Sequence, residues 1–425
     1  MTYEDAVNYI KESEKFGSIL GLSRMRMLCE FLNNPQEDFF VIHVAGTNGK
    51  GSVSSMISSI LTCSNVKCAM YSSPSLTDER DHFRINGEII SREDYVKCVC
   101  KVRDANRKLI EETGFGATVF ELETALAFVY FGDNHVDAAV IECGLGGRDD
   151  ATNVITRNKM CVFTSISLDH TAVLGNTIAQ ISNVKSGIIN CNCPVVCYDL
   201  CDDAIREIRK ACNQYGCLMT VAAFDQLSGE CDFPVGELID YKGIKARINL
   251  TGVFQRYNAC VAIEAAFALR DRFDISDEDI IRGLSKVQWS YRFEKISDNP
   301  PVIVDGAHNP GAADELANTI LSRLQGYDII FVLGMFKDKD CNTVLSKVLP
   351  LGKRVITITT TNKDRAAQAE DLAEMAGKYC PATVAGSIEE AKRTAVCLAQ
   401  KCSEKSVVIA FGSLSYLAEF VNAKS

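Results

Sequence analysis

The chain has 425 residues, of which 47% are hydrophobic and 24% are charged. These proportions are ordinary for a globular protein, and the length favours two or three domains over a single core. The formal net charge of −10 argues against a nucleic-acid-binding protein, which normally carries a basic surface. No run approaches the roughly 18 apolar residues of a membrane span, and the N-terminus lacks an apolar signal core. We therefore expect a cytoplasmic protein that binds neither nucleic acid nor membrane.

The 19 cysteines favour a reducing compartment over a disulfide scaffold, which is usually a short secreted chain. Several of them lie in apolar, strand-like runs and are interpreted as small hydrophobic residues. The densest group lacks the paired spacing of a structural zinc site, so we interpret it as buried or incidental thiols. It consists of Cys191, Cys193, Cys197 and Cys201.

Short apolar runs alternate with helical patterns along the chain. Continuous apolar runs predict strands buried on both faces, and the helices between them predict right-handed crossovers and largely parallel sheets. The predicted strands are 39–46, 67–73, 137–144, 160–167 and 193–199, followed after a break by 301–309, 327–334, 353–361 and 406–413.

The Asp- and Pro-containing stretch 297–301 separates the two sets of strands and is interpreted as a domain linker. We therefore predict an α/β protein with two domains. A P-loop-type, mostly parallel sheet domain (1–296) precedes a smaller Rossmann-like α/β domain (297–425). The stretch 218–252 is expected to add shorter, more antiparallel strands at the edge of the first domain.

The first predicted strand ends in a Gly-rich segment that leads into a helical pattern. Glycines let backbone N–H groups turn toward a phosphate, and a helix N-terminus adds partial positive charge. Lys50 would reach the terminal phosphates and Ser52 would ligate Mg²⁺. Gly51 lies between these two residues, whereas in the common P-loop they are adjacent. The alternative to a nucleotide-binding loop is an ordinary Gly-rich turn. The predicted ATP-binding residues here are Thr47, Asn48, Gly49, Lys50, Gly51 and Ser52.

Polar residues follow other predicted strands as well, where ligands of open α/β sheets bind. Glu142 is a carboxylate ahead of a Gly turn, which is typical of a Mg²⁺ ligand, with a cap or turn as the alternative. His170 is one of five histidines, and structural and ligand roles stay open. The stretch 71–76 is interpreted by itself as a turn, and Lys185 as a solvated lysine. Residues 305–310 predict a second nucleotide-facing surface.

Together these motifs resemble the folylpolyglutamate synthase/dihydrofolate synthase family, a branch of the Mur ligases. The resemblance covers nearly the whole chain. The matching segments are Lys15–Gly17, Gly21-Leu22, Arg24-Met25, Asn34–Gln36, His43–Ser52, Phe120-Glu121, Thr124-Ala125, Glu142–Asn153, Leu168–Thr171, Leu174-Gly175, Gln255, Asn258-Ala259, Arg292–Glu294, Asp305–Pro310, Lys337–Asp340 and Gly412–Leu414.

The resemblance implies an ATP- and Mg²⁺-dependent ligase, a monomer, that adds L-glutamate to a folate or to dihydropteroate through an acyl phosphate. The residues implied to be catalytic are Lys50, His170 and Lys185. Two Mg²⁺ ions are implied, one held by Ser52, Ser73 and Glu142 and the other by His170 and Lys185. Lys185 would be carbamylated by CO₂, which turns a repelling cation into an oxygen ligand. Further ATP contacts would come from Asn258, Arg292, Asp305 and His308, and substrate contacts from Ser75, Thr124, Arg148 and Asp150.

Four local sequences depart from the family pattern, and one of them is Asp149, which stands where a Leu is usual. Ser75 stands where many members have His, and Ser290-Tyr291 replaces Pro-Gly before Arg292. Asn183-Val184 precedes Lys185 in place of the common Glu. These departures leave the acceptor open between dihydropteroate and a reduced folate. Two alternatives remain, namely a Mur-type ligase with another carboxylate acceptor and a P-loop ATPase that does not ligate.

Overall fold

The computed structural model of the protein describes residues 1–17, 21–75, 78–229, 236–362, 364–402 and 405–423. Its strands are β1 (Phe40–Ala45), β2 (Cys68–Tyr71), β3 (Phe83–Ile85), β4 (Glu88–Ile89), β5 (Ala138–Glu142), β6 (Lys159–Phe163), β7 (Val195–Cys197), β8 (Met219–Val221), β9 (Leu227–Ser228), β10 (Glu237–Tyr241), β11 (Ile244–Ile248), β12 (Glu294–Asp298), β13 (Pro301–Val304), β14 (Asp328–Leu333), β15 (Arg354–Thr357), β16 (Ala382–Val384) and β17 (Ser406–Phe411).

The helices, which alternate with many of these strands, are α1 (Tyr3–Lys11), α2 (Ser23–Phe31), α3 (Lys50–Cys63), α4 (Arg92–Thr113), α5 (Val119–Asp133), α6 (Thr171–Leu174), α7 (Ile178–Lys185), α8 (Asp202–Tyr215), α9 (Val253–Phe273), α10 (Asp277–Lys286), α11 (Pro310–Arg323), α12 (Cys341–Val348), α13 (Ala369–Ala376), α14 (Ile388–Cys402) and α15 (Leu414–Asn422). None of the helices in the described ranges is long and apolar enough to span a membrane.

The largest sheet has the strand order β4-β3-β2-β5-β1-β6-β7-β8. The strands from β2 to β8 in this order run parallel, whereas β3 and β4 add an antiparallel edge. Every residue of β1, β5 and β6 is buried, as continuous apolar strands between two layers of helices require. Because β1 lies between β5 and β6, the segments that follow these three strands meet at one edge of the sheet.

The other large sheet has the order β12-β13-β17-β14-β15-β16, and only β12 is antiparallel to its neighbour. A small sheet has the order β11-β10-β9. The α/β fold with two mostly parallel sheets, which the apolar runs predict, is confirmed. Each predicted strand coincides with an observed one, although several end earlier because the polar residues at their ends belong to loops.

The contacts within the chain divide it into two compact units. The first unit comprises Met1–Ser228, Asp240–Ala246 and Tyr257–Val287. The second comprises Gly229–Ile239, Arg247–Arg256 and Gln288–Ser425. The second unit is therefore discontinuous in sequence, unlike the predicted division at 296/297.

The stretch 297–301, interpreted from its composition as a domain linker, lies in a hairpin within the second unit. Ser297 and Asp298 belong to β12, which pairs antiparallel with β13 through Asp298 and Pro301. Asn299 and Pro300 therefore form the turn of a hairpin. Asp and Pro favour hairpin turns as much as linkers, and composition alone does not distinguish the two.

Candidate active site

The Gly-rich segment connects the end of β1 to the first residue of α3, as predicted. Gly49 has φ of 82°, and a Cβ atom there would lie 2.6 Å from the side-chain oxygen of Asn258. A Cβ atom on Gly46 would lie 1.8 Å from Thr164 Oγ1. Both glycines are thus required for the backbone to pass this close to its neighbours. The loop ends at a helix N-terminus, which is suited to bind an anion.

The loop is held in place by the segment that follows β6. The backbone N–H of Thr47 donates to the Ser165 carbonyl over 2.7 Å. The Thr47 hydroxyl donates to the Ser167 carbonyl and accepts from the Ser167 N–H, both over 3.1 Å. The Ser165 hydroxyl donates to the Asn48 carbonyl over 3.2 Å. These bonds join residues about 120 positions apart, because β1 and β6 are adjacent parallel strands.

Lys50 and Glu142 lie together at the same edge. Glu142 is the last residue of β5, pairs with Val44 of β1, and is buried. Lys50 Nζ is 3.9 Å from Glu142 Oε1 and donates to the Thr47 carbonyl over 3.1 Å. Ser52 is buried in the first turn of α3.

The oxygens of Ser52 and Glu142 are the hard donors that Mg²⁺ prefers, so these residues fit a magnesium ion that also contacts phosphate. Ser73, the third implied ligand, lies in the loop after β2 and lines a neighbouring cavity. The described ranges contain no group of three or more His, Cys, Asp and Glu side chains arranged to hold a metal ion. A magnesium site here would therefore need hydroxyl, phosphate or water oxygens as well.

Lys185, the last residue of α7, lies beside the phosphate loop. Its Nζ donates to the Gly46 carbonyl over 2.7 Å, and only 4% of the residue is exposed. Burial disfavours the ammonium form and the charge of Lys50 adds to the effect, which together lower the pKa of Lys185 to about 7. The interpretation as a solvated lysine, which its local sequence favours, is wrong. Near neutral pH a large share of this side chain is an uncharged, nucleophilic amine.

His170 is placed differently. It precedes α6 with φ of 49°, and its backbone N–H donates to the side chain of Asp169 over 2.8 Å. Its side chain is 45% exposed, in contrast to Lys185. A ligand could therefore approach His170 from solvent.

A cavity of about 460 Å³ opens in the first unit near the end of β5. Among the residues predicted to bind metal or substrate, Ser73, Ser75 and Asp150 line it. The described residues that line it are Gly21, Ser73, Pro74, Ser75, His82, Thr118, Phe120, Glu121, Glu123, Gly144, Leu145, Asp149, Asp150 and Ala151.

Thr124 and Arg148, also predicted to bind substrate, are not part of this lining. The Thr124 hydroxyl donates to the Phe120 carbonyl over 2.7 Å within α5. Arg148 is exposed and donates to the carbonyl and side chain of Asn183. Both side chains thus have structural partners in the first unit.

Sequence reasoning assigned no role to several side chains that line the cavity, among them His82, Phe120, Glu121 and Glu123. The last three lie in the first two turns of α5, whose capping box joins Thr118 to Glu121. That Thr-x-x-Glu spacing can be recognised in the sequence and predicts a helix N-terminus at this position. No local signal would have brought His82 to the same cavity, since it lies in a separate 3₁₀ turn, Glu79–His82.

The second unit contains the remaining predicted ATP contacts except Asn258. Asp305 follows β13, is buried, and accepts from the backbone N–H groups of Phe293 and Ala307 over 2.9 and 2.8 Å. Burial raises the pKa of its carboxyl group. A Cβ atom on Gly306 would lie 2.3 Å from Arg292 Nη1, and His308 Nδ1 is 2.8 Å from the Gly306 carbonyl oxygen. Arg292, Asp305 and His308 are thus brought together around one glycine.

Comparison with known proteins gives consistent matches over both units. Residues 44–266 match the Mur ligase middle domain, and residues 291–414 match the Mur ligase glutamate ligase domain. Dihydrofolate synthase/folylpolyglutamate synthase of Bacillus subtilis is 34% identical over 385 residues, which are 87% of this chain and 88% of that protein. Dihydrofolate synthetase of Saccharomyces cerevisiae is 35% identical over 354 residues, 80% and 81% of the two chains.

Solved structures agree with these matches. Mycobacterium tuberculosis folylpolyglutamate synthase complexed with ADP superimposes with a TM-score of 0.91 at 25% identity, covering 100% of both chains. E. coli FolC in complex with DHPP and ADP gives a TM-score of 0.86 at 26% identity, covering 98% of this chain and 97% of that one. The chain therefore belongs to the folylpolyglutamate synthase/dihydrofolate synthase family of the Mur ligases and is an ATP-dependent folate–glutamate ligase.

Proposed function

We propose that the protein joins L-glutamate to the carboxyl group of dihydropteroate, of a reduced folate, or of both. The observation that carries this proposal is the placement of Lys50, Glu142 and Lys185 around one Gly-rich loop, beside a cavity large enough for a heterocyclic acceptor. The matched relatives favour this activity over a Mur-type ligase with another acceptor and over a non-ligating ATPase.

In the first step the acceptor carboxylate attacks the γ-phosphorus of ATP, ADP leaves, and an acyl phosphate forms. The backbone N–H groups of the loop hold the phosphates, and Lys50 neutralises charge on the transferring phosphoryl group. Bound Mg²⁺, with Ser52, Ser73 and Glu142 as protein ligands, would supply further charge neutralisation there. The loop residues Thr47 and Asn48 fix the position of Lys50 through their bonds to the segment after β6.

In the second step the α-amino group of L-glutamate attacks the acyl carbonyl carbon. The C–N bond forms, the bond to the phosphate oxygen breaks, and the amine loses a proton as inorganic phosphate leaves. The protein contributes chiefly by holding two anionic substrates in contact, because in water their like charges would keep them apart. In the second unit, Arg292, Asp305 and His308 are proposed to contact the nucleotide.

Lys185 is proposed to act as a carbamate. Its neutral amine attacks CO₂, a C–N bond forms, and one proton is released. The buried position beside Lys50 disfavours a second ammonium group, whereas an anion there is attracted to Lys50. Together with His170, the carbamate oxygens would hold the second Mg²⁺ of the site. The protein is further proposed to be a cytoplasmic monomer.

The decisive experiment offers purified protein ATP, Mg²⁺ and L-glutamate with dihydropteroate or tetrahydrofolate in separate reactions. Mass spectrometry of each reaction should show an acceptor heavier by one glutamyl residue, together with ADP and phosphate. Turnover of ATP that needs neither glutamate nor acceptor, with no amide product, would overturn the proposal. Phosphate release stimulated by a UDP-sugar carboxylate instead would favour another Mur-type acceptor.

A further inference from the structure

Among the residues that the structure describes, four carboxylate side chains and no lysine or arginine line the 460 Å³ cavity. These carboxylates are Glu121, Glu123, Asp149 and Asp150. An acidic lining disfavours an anionic group such as a glutamate tail and favours a ring edge rich in N–H donors. If the cavity holds part of the acceptor, as the proposed function requires, that part is therefore the heterocycle.

Two of the four carboxylates already accept hydrogen bonds from neighbouring residues of the protein. Glu121 accepts from Arg24 over 3.3 Å and from the Thr118 N–H over 2.8 Å, which neutralises its charge. Asp150 accepts from the backbone N–H groups of Leu145 and Thr152 and from the Thr152 hydroxyl. These bonds occupy oxygens of both carboxylates, whereas Asp149 is exposed to solvent.

Glu123 is different. Its side chain is only 15% exposed, yet within the ranges that the structure describes it accepts no hydrogen bond. Its nearest charged neighbour is His82, with Nε2 at 3.6 Å from Glu123 Oε1, which is beyond a normal hydrogen bond. A carboxylate this buried normally accepts several hydrogen bonds. The unused acceptor capacity of Glu123 faces the cavity that it lines.

His82 holds a defined orientation next to this carboxylate. Its Nδ1 lies 2.7 Å from the Ser72 carbonyl oxygen, which cannot donate, so Nδ1 carries the hydrogen. Nε2 therefore points to Glu123, and the ring is packed against Tyr71 and Phe83. A fixed imidazole on one side leaves the other side of the carboxylate available to a ligand.

From this geometry we propose that Glu123, which lies beside His82, determines acceptor specificity by binding the amidine-like edge of a 2-amino heterocycle. Two parallel N–H donors, one from the 2-amino group and one from the adjacent ring nitrogen, match the two oxygens of a carboxylate. This inference rests on the proposed function, because it assumes that the acceptor ring enters this cavity.

The test compares dihydropteroate with an analogue in which a methyl group replaces the 2-amino group. Equilibrium Kd from fluorescence and KM from the ligation assay are measured for the wild type, Glu123→Gln and Glu79→Gln. Glu79→Gln is the control. It removes one carboxylate charge, as Glu123→Gln does, but Glu79 lies in the 3₁₀ turn that contains His82 and is not among the residues that line the cavity. The wild type and the control should prefer the 2-amino acceptor by about tenfold or more, as expected for charge-assisted bonds.

Glu123→Gln should reduce this preference to about threefold or less, with KM for ATP unchanged. Glu123→Leu, which cannot accept a hydrogen bond, should abolish the preference. Equal binding of both compounds by the wild type, or an undiminished preference in Glu123→Gln, would overturn the inference. Absence of an amide product with either compound would instead count against the proposed function, while the Kd ratio still decides the role of Glu123.

Discussion

Burial changes the pKa of the Lys185 amine and therefore its reactivity. In water a lysine amine is protonated at neutral pH and does not react with CO₂. Here the amine lies beside the Gly46 carbonyl and near Lys50, and its pKa falls to about 7. The local sequence around Lys185 contains no sign of this environment. Only the position of α7 next to the loop after β1 creates it.

Lys185→Ala should abolish ligation, because the proposed carbamate oxygens are lost and no neighbouring side chain replaces them. The measurement is formation of the glutamyl product with ATP and Mg²⁺ in excess. Lys210→Ala is the matched control, since Lys210 is an exposed lysine on α8 paired with Glu207 and should be dispensable. Near-normal turnover by Lys185→Ala would reject the role of this residue in holding the second metal.

Carbamylation of Lys185 should increase as the pH rises through about 7. The ammonium form cannot attack CO₂, and a pKa of about 7 makes about a tenth of the amine neutral at pH 6 and about nine-tenths at pH 8. ¹³C NMR with labelled bicarbonate should therefore show a carbamate signal that is stronger at pH 8 than at pH 6. A signal of equal strength at both pH values, or one that persists in Lys185→Ala, would contradict the assignment.

At the scale of the element, the phosphate loop lies between a strand and a helix, and the sequence predicts all three elements. The apolar run, the glycines and the helical pattern follow one another directly, so local propensities agree with the fold. The predicted strands nevertheless extend too far, for example to 309 where β13 ends at Val304. Beyond Val304, the Gly306 N–H donates to the Tyr291 carbonyl and the Asn309 side chain caps α11. Apolar periodicity cannot say where pairing with a neighbouring strand stops.

Gly49→Ala should weaken ATP binding by about tenfold or more, since the loop must shift to relieve the contact with Asn258. The control is Gly87→Ala, because Gly87 has a similar φ of 85° but no heavy atom within 4 Å of its Cβ position. Both changes should cost ~1 kcal/mol of stability for the left-handed backbone. Isothermal titration with ATP and urea unfolding separate the two effects. Equal ATP affinity in the two variants would show that the close approach is unimportant.

At the scale of the whole molecule, buried charges join parts of the second unit that lie far apart in sequence. Arg323 at the end of α11 forms an ion pair with Glu237 of β10, and both side chains are almost fully buried. Glu237 also accepts from the Gly252 N–H over 2.9 Å, and burial raises its pKa to about 6. The discontinuous second unit thus depends on residues that precede 287/288.

Arg323→Met should destabilise the protein by ~3 kcal/mol, because it leaves the Glu237 carboxylate buried with only the more distant Arg256, at 3.7 Å, as a counter-charge. The double variant Glu237→Gln/Arg323→Met should be more stable than Arg323→Met alone, since glutamine is neutral and still accepts from Gly252. Urea unfolding of the full chain measures each free energy. A single variant within ~0.5 kcal/mol of wild type, or a double variant no better than the single, would contradict this account.

The sequence by itself determined the α/β class, the order of the buried strands and the phosphate loop, since apolar runs, glycines and helix starts are local features. Its motifs also carried the family resemblance, which the comparisons confirm. Only the tertiary structure decided which polar side chains meet. It placed Lys185 against Gly46, 139 positions away, and His82 against Glu123, and it used the Asp/Pro stretch as a hairpin. The physical reason is that burial and pairing arise from strand order and helix packing, which join residues that no local pattern connects.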